Sequence, residues 1–582
     1  MGSASSSSLT SKHPDQHRPP LTRHFRSNIP SPIVATRNGP LEGKRLKLKA
    51  KGPQQEDRWV NVFLGIPYAK PPLGELRFKK PVALDEPAWR QPLSTKRYKS
   101  RSIQRDFFWD TMELRVGKSE DCLYLNVITP AWSPDCKLFP DGFGVMVYIH
   151  GGGFVMDSAV KYNYACVSRT LVRHDVIVVT IQYRLGFLGY FFTGDENATG
   201  NYGLYDQMMA LKWVKENIAN FGGNPNNITV FGQSAGAVSA DLLSLSPLSR
   251  DLFQNIILMG GSAESMWALS SREQLMEYCQ QKALKLGFQR SSITEQWTKE
   301  ENADLMQFLR AVPAEKFEAT MIGDRIVIGE LRIPITPIID GEILPKSIKE
   351  LRKESPKRNV MAGVCKYEGL LFLALGFQRA NAKFLIYCER RAQELLDEAN
   401  RRSSIPSEAV TLAAFRDLYG ISDHMRKDKK AVQQVSVAIM SDLINNLPLQ
   451  NYCDKMTQLT NSTSCFEPLL PFVGATHCTE LMRNHTDRKV LDLTTRMWTN
   501  FAKFGNPNGV TQAGIQKYDN NNNNFDVKEF NAEPTDIQFR WEPVNNSQPE
   551  NHLVIREKPQ MRQKLETRRI ERLAPPMDSF LQ

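Results

Sequence analysis

The sequence predicts an α/β fold, a large and mostly parallel central sheet flanked by helices, with further helices inserted between its strands. Three stretches carry this expectation. The short apolar run Ile228–Phe231 meets Gly232-Gln233-Ser234-Ala235-Gly236 and then Ala237–Leu245, rich in Ala, Ser and Leu. The apolar run Gly144–Ile149 ends on His150-Gly151-Gly152-Gly153-Phe154. A third run, Asn359–Val364, leads through a few residues to Glu368-Gly369 and a Leu/Phe-rich segment. Short apolar runs alternating with helical patterns are how buried parallel strands and their crossovers read in a sequence.

A serine between a strand and a helix in a G-x-S-x-G turn is the nucleophile elbow of α/β-hydrolases. The flanking residues are small because the turn is tight and the side chain must stand clear of the backbone. Three glycines after a strand let backbone N–H groups turn toward a ligand without interference from Cβ. Such an HGGG loop, together with the N–H of the residue after the nucleophile, forms the oxyanion hole of esterases and lipases.

A serine hydroxyl needs a base to attack at neutral pH. Four histidines follow Ser234: His424, His477, His485 and His552. His424 sits in the charged stretch Asp423–Lys430, and His485 and His552 sit among Asn, Arg and Asp, as solvated residues do. Phe472-Val473-Gly474-Ala475-Thr476-His477 instead leaves an apolar run through small residues, as a loop at a sheet edge does, which favours His477. For the acid, Glu368 falls just past the end of an apolar strand, where catalytic groups of open α/β sheets gather. From composition alone the commoner explanation of such a residue is a carboxylate at a helix N-terminus interacting with the dipole.

With these residues in view, the chain resembles the type-B carboxylesterases, a family that also holds the cholinesterases and neuroligins. The resemblance runs from about Pro32 to Leu573. It rests on the stretches Phe63–Ala69, Ser119–Val127, Gln182–Gly186, Asn201–Gln207 and Phe221–Pro225 besides the two glycine motifs. It implies Ser234 as nucleophile, Glu368 as acid and His477 as base, with Gly152, Gly153 and Ala235 as oxyanion donors. Trp267 is similar to the family's acyl-pocket tryptophan. The implied activity is hydrolysis of a small-molecule carboxylic ester through an acyl-enzyme, with no metal or organic cofactor. Two alternatives share the resemblance: acyl transfer to a hydroxyl by the same triad, and a non-catalytic binding role like that of the neuroligins, which usually lack the serine this chain keeps. Gln233, where cholinesterases carry a glutamate, and the lack of a clear counterpart to their choline-binding tryptophan argue against acetylcholine.

The 582 residues are 41% hydrophobic, enough for a sizeable core. The motifs interleave from end to end, so one catalytic domain over residues 31–573 is expected, between an N-terminal tail, 1–30, and a C-terminal tail, 574–582. The patterns of Ala263–Arg332 and Phe377–Asp442 read as helical caps over the sheet. No run of 18 apolar residues is present to span a membrane. Of the nine cysteines the first is Cys122, so the upstream partner that bridges this position in secreted relatives is missing. Disulfides persist in oxidising compartments, and a chain without its family's bridges reads as cytosolic. Met1–Pro30 has no apolar core of a signal peptide, while Met1-Gly2-Ser3-Ala4-Ser5-Ser6 fits the N-myristoylation pattern at Gly2. Residues 1–51 carry ten Lys/Arg against Asp15 and Glu42, a charge of +8 out of the chain's +11. Two readings of this basic arm stand: weak peripheral attraction to an anionic membrane leaflet, or a solvated arm. A nucleic-acid partner is not expected, because the remaining +3 is close to balance and no recognition motif is present. Nothing in the sequence fixes an oligomeric state.

Overall fold

The computed structural model describes residues 30–50, 56–107, 110–111, 114–291, 296–319, 333, 335–374, 381–402, 412–460, 469–476, 488–509, 515–517, 526–528, 552–554 and 560–562. The candidate residues Gly2 and His477 lie outside the described residues.

The predicted sheet is present. In chain order its strands are β1 (Lys44–Leu48), β2 (Arg58–Pro67), β3 (Tyr124–Pro130), β4 (Phe143–Ile149), β5 (Val176–Ile181) and β6 (Gly223–Gln233). They continue as β7 (Asn255–Met259), β8 (Asn359–Tyr367), β9 (Leu469–Thr476), β10 (His552–Val554) and β11 (Gln560–Arg562). Across the sheet the order is β11-β10-β9-β8-β7-β6-β4-β5-β3-β2-β1. From β5 through β4, β6, β7, β8 and β9 to β10 every neighbouring pair is parallel. The β1–β2, β2–β3, β3–β5 and β10–β11 pairs are antiparallel. The sheet is therefore mixed, with a parallel centre and antiparallel margins.

The parallel strands are buried on both faces, as crossover helices require. Every residue of β4, β5 and β7 is buried. Side chains alternate between faces with period two. Val145, Val147 and Ile149 join one core cluster, while Met146 and Tyr148 join another on the opposite side.

Register fixes where the loops emerge. Ile149 aligns with Gly232, Gly232 with Leu258, Leu258 with Ala362 and Ala362 with Leu469. All five chains then leave at the same carboxyl end of the sheet. The strands run longer than the apolar stretches that predicted them. β6 starts at Gly223 rather than Ile228, and β8 continues to Tyr367 through a register shift between Cys365 and Tyr367. β9 is an interior strand with β10 and β11 beyond it, so its exit lies at a carboxyl end and not at a lateral edge.

The expected helices are present as Arg272–Lys285 and Lys299–Ala311 in the first insertion. In the second they are Ala382–Arg402, Leu412–Tyr419 and Lys429–Ser441. After β5 the chain forms a short buried helix, Gly186–Tyr190. No helix among the described residues is long and apolar enough to cross a membrane.

Behind the central turn sits a buried ion cluster. Arg352 donates to Asp241 at 2.9 Å and to Glu264 at 3.0 Å, and its guanidinium lies 4.7 Å over the Tyr452 ring. Lys455 also donates to Glu264, at 2.7 Å. Burial pushes the Glu264 carboxyl up, but Arg352 and Lys455 outweigh it and hold the group below its ordinary 4.5. A carboxyl depressed on folding stabilises the native state above its unfolded pKa and loses that contribution as pH falls through its folded pKa. Stability in urea titrations should thus fall below about pH 4.5, and less steeply in Glu264→Gln. Arg352→Met, which leaves buried Asp241 without its ion-pair partner and Glu264 with Lys455 alone, should cost about 3–5 kcal/mol; a loss under 1 kcal/mol would show the cluster to be dispensable.

Candidate active site

Gln233 ends β6 and Ala235 opens the helix Ala235–Leu245, leaving Ser234 alone in the turn between them. Its φ of 56° and ψ of −125° lie outside the regions open to ordinary L-residues. Such strain persists only where the surroundings over-determine it. Here the Ser234 N–H donates to the Met259 carbonyl of β7 at 2.8 Å, and the Ser234 carbonyl accepts from Val238 at 3.0 Å. All eleven residues of the helix that follows are buried. Ser234 itself is 7% exposed.

The glycines around the turn answer to close approach. A Cβ on Gly236 would lie 2.1 Å from the Ile149 carbonyl oxygen of β4. On Gly261, just past β7, it would meet the Ser234 carbonyl oxygen at 2.7 Å. On Gly151 it would fall 2.5 Å from the Gln233 carbonyl oxygen and 3.2 Å from Ser234 Cβ. The His150–Phe154 loop is thus packed directly on the serine turn.

Within that loop Gly152, Gly153 and Phe154 all have positive φ, at 89°, 59° and 62°. The run makes a tight turn closed by Val155 and Met156 N–H groups donating to the Gly152 carbonyl at 3.1 Å. The N–H groups of Gly152, Gly153 and Ala235 donate to no acceptor among the described residues. His150 anchors the loop from beneath: its ring is buried and stacks on Tyr183 at 4.5 Å, and the Tyr183 hydroxyl donates to the His150 carbonyl at 2.8 Å. Burial holds the His150 ring below its ordinary pKa, which suits a neutral support better than a charged one.

Glu368 is the first residue of the helix Glu368–Ala374, directly after β8, and is 1% exposed. Its Oε1 accepts the Cys365 N–H at 2.6 Å and its Oε2 accepts from Asn445 Nδ2 at 2.9 Å. The helix-terminus reading and the strand-end reading of Glu368 are therefore both met by one position. Thr476, the last described residue before His477, is registered with Tyr367, the neighbour of Glu368. The described chain thus brings the end of β9 beside Glu368.

Trp267 is buried and its indole N–H donates to the Ile444 carbonyl at 3.0 Å. That carbonyl is open to it because the residue four further on is Pro448, which has no N–H to give. The far edge of the Trp267 ring lies 3.3 Å from where a Gly261 Cβ would stand, on the serine side of the site. Ile444 and Asn445 belong to a π-helical turn, Asp442–Asn446, set between the helices Lys429–Ser441 and Leu447–Thr460. This turn escaped sequence reasoning. Its only trace is Asn445-Asn446-Leu447-Pro448, polar residues and a proline inside a helical pattern. Among the described residues no group of three or more His, Cys, Asp or Glu is placed to hold a metal ion.

The parallel centre with its serine turn, glycine loop and buried Glu368 at one sheet end defines the chain as an α/β-hydrolase. Comparison with known proteins agrees and is more specific. The family model described as "Carboxylesterase family" matches residues 30–573. The chain is 35% identical over 500 residues to Esterase cest-33 of Caenorhabditis elegans, covering 81% of this chain and 85% of that protein. It is 33% identical over 527 residues to the medium-chain fatty acyl-CoA hydrolase precursor of Anas platyrhynchos, covering 84% and 87%. To liver carboxylesterase 1 of Oryctolagus cuniculus it is 31% identical over 523 residues, covering 82% and 86%. The chain belongs to the carboxylesterase family and is a carboxylic-ester hydrolase.

Gly151→Ala should lower ester hydrolysis at least tenfold while the protein stays folded, because the added methyl wedges the loop away from Ser234. Undiminished kcat/KM in steady-state assays of the folded variant would show that loop and serine need not touch.

Proposed function

We propose that the enzyme works by serine acyl transfer, with Ser234 as nucleophile, His477 as general base and Glu368 as the acid that orients it. The observation that carries this reading is Ser234 held at positive φ on the strand–helix turn, with the glycine loop packed against it. His477 takes the Ser234 proton as Oγ attacks the carbonyl carbon of a small-molecule ester. The carbonyl oxygen gains negative charge, stabilised by the N–H groups of Gly152, Gly153 and Ala235. Collapse of the tetrahedral intermediate expels the alcohol, which receives the proton from His477. Water then adds to the acyl carbon by the same route, and the carboxylate leaves Ser234. Glu368 holds the tautomer of His477 and stabilises its cation. One oxyanion donor typically contributes about 3–4 kcal/mol to the transition state, so the three together supply a substantial part of the rate. Trp267, beside the serine turn, bounds the acyl side of the pocket in this reading.

We further propose a reducing compartment, on the cysteine count alone: Cys279 stands by itself between Trp267 and Cys365, with no second cysteine there to bridge it. Acylation of Gly2 rests on the Met1–Ser6 pattern alone. An alkyne-tagged myristate fed to expressing cells should label the wild type and not Gly2→Ala; equal labelling of both would remove that proposal.

The purified enzyme should hydrolyse p-nitrophenyl acetate, and Ser234→Ala should lose at least a thousandfold in kcat. A fluorophosphonate probe should label one serine per chain, absent in that variant. Turnover that persists in a folded Ser234→Ala would assign the chemistry to another group.

A further inference from the structure

We infer that Asn445 is a positioning residue for the triad acid, and that the π-helical turn Asp442–Asn446 exists to deliver it. The inference rests on the triad reading above and concerns a residue which that reading does not use.

Glu368 is a buried carboxylate, and a buried charge is stable only where donors replace the water it has lost. Of its two oxygens, Oε1 takes a backbone N–H from its own strand, that of Cys365. Oε2 takes Nδ2 of Asn445, a side chain 77 residues away in sequence. The second bond is charge-assisted and at 2.9 Å falls in the range of the stronger class. Because Asn445 is neutral, it donates without offering the carboxylate a competing counter-ion that would draw it away from an imidazolium.

The surroundings show that this contact is built. Ser441, four residues before Asn445, accepts the Gly369 N–H on its Oγ at 2.9 Å, so Ser441 and Asn445 grip consecutive residues, Gly369 and Glu368. Gly369 lies so close that a Cβ there would stand 2.5 Å from Met440 Cβ. The neighbouring Ile444 carbonyl accepts the Trp267 indole N–H. Asp442, the charged group of the turn, is engaged elsewhere. Its Oδ2 accepts from the Tyr419 hydroxyl at 2.9 Å and its Oδ1 from Asn446 at 2.8 Å. Extra-residue π turns of this kind cost helical regularity and recur at functional sites. Here one turn fixes the acid with a side chain and the acyl-side tryptophan with a carbonyl.

The test compares wild type with Asn445→Leu and the near-isosteric Asn445→Asp, full length, on p-nitrophenyl acetate across pH, with Ser441→Ala as a variant of the same turn. Removing the donor should lower kcat about ten- to a hundredfold with KM changed less than threefold. It should also move the acid limb of the kcat profile to higher pH, because a carboxylate relieved of one donor pairs more strongly with the imidazolium that the triad reading sets beside it. Asn445→Asp, which sets a second negative charge against Glu368, should lose more than Asn445→Leu and carries the test should the latter not fold. Asn445→Gln should restore part of the loss. Ser441→Ala should lower thermal stability without moving the pH limb. If Asn445→Leu and Asn445→Asp fold and keep kcat and pH profile within twofold while Glu368→Gln is impaired, Asn445 is structural only and the inference fails. If Glu368→Gln is itself fully active, the triad reading falls, and the inference with it.

Discussion

Everything at this site depends on how closely four pieces of backbone approach one another at the carboxyl end of the sheet. The turn at Ser234, the loop after β4, the chain after β7 and the first turn of the helix after Ser234 meet with no room for a Cβ at Gly236, Gly261 or Gly151. A non-glycine residue at φ 56° and ψ −125° costs of the order of 1–3 kcal/mol. The sheet absorbs that cost because its register is fixed on both sides of β6, by β4 and by β7. Because the helix beyond is buried along its whole length, the serine cannot relax without moving the core.

The ion cluster of Asp241, Glu264, Arg352 and Lys455 extends this constraint outward. Asp241 is on the serine's own helix, and besides Arg352 it accepts the Ala263 N–H at 2.8 Å. Ala263 and Glu264 lie on the chain that leads from Gly261 to Trp267. One buried group therefore ties the serine helix to the segment carrying Trp267. A buried ion cluster contributes less to net stability than to holding one arrangement when its members are fully paired, and here the arrangement held is that of two walls of a site.

The parts of the molecule legible in the sequence were those encoded by short, local patterns. The strand–glycine–serine–glycine–helix turn and the strand–HGGG loop are dictated by sterics within ten residues, and both stand where they were read. The parallel centre followed from apolar runs buried on both faces, whereas the runs gave no strand direction for the antiparallel margins, whether in β2 and β3 of ten and seven residues or in β10 and β11 of three each. Composition left Glu368 divided between two roles and the resemblance chose one; the structure adds that a helix start and a strand end coincide there. Asn445 was invisible because its significance is a contact across 77 residues, and a π turn has no period that separates it from the helices around it.

The two sides of the site are fixed by different means, and that difference bears on how such an enzyme diversifies. On the serine side the constraints are backbone to backbone, so almost any side chain added at the three glycines collides with a carbonyl. On the Glu368 side, side-chain contacts from a helical insertion add to one backbone approach, at Gly369: Asn445 to Glu368, Ser441 to Gly369, and Trp267 back to the turn. A side-chain contact can be exchanged for another of similar chemistry without refolding the sheet, whereas a backbone approach cannot. The contacts made by the segment that carries Asp442–Asn446 can therefore be exchanged one at a time, while the geometry around Ser234 stays fixed by the sheet.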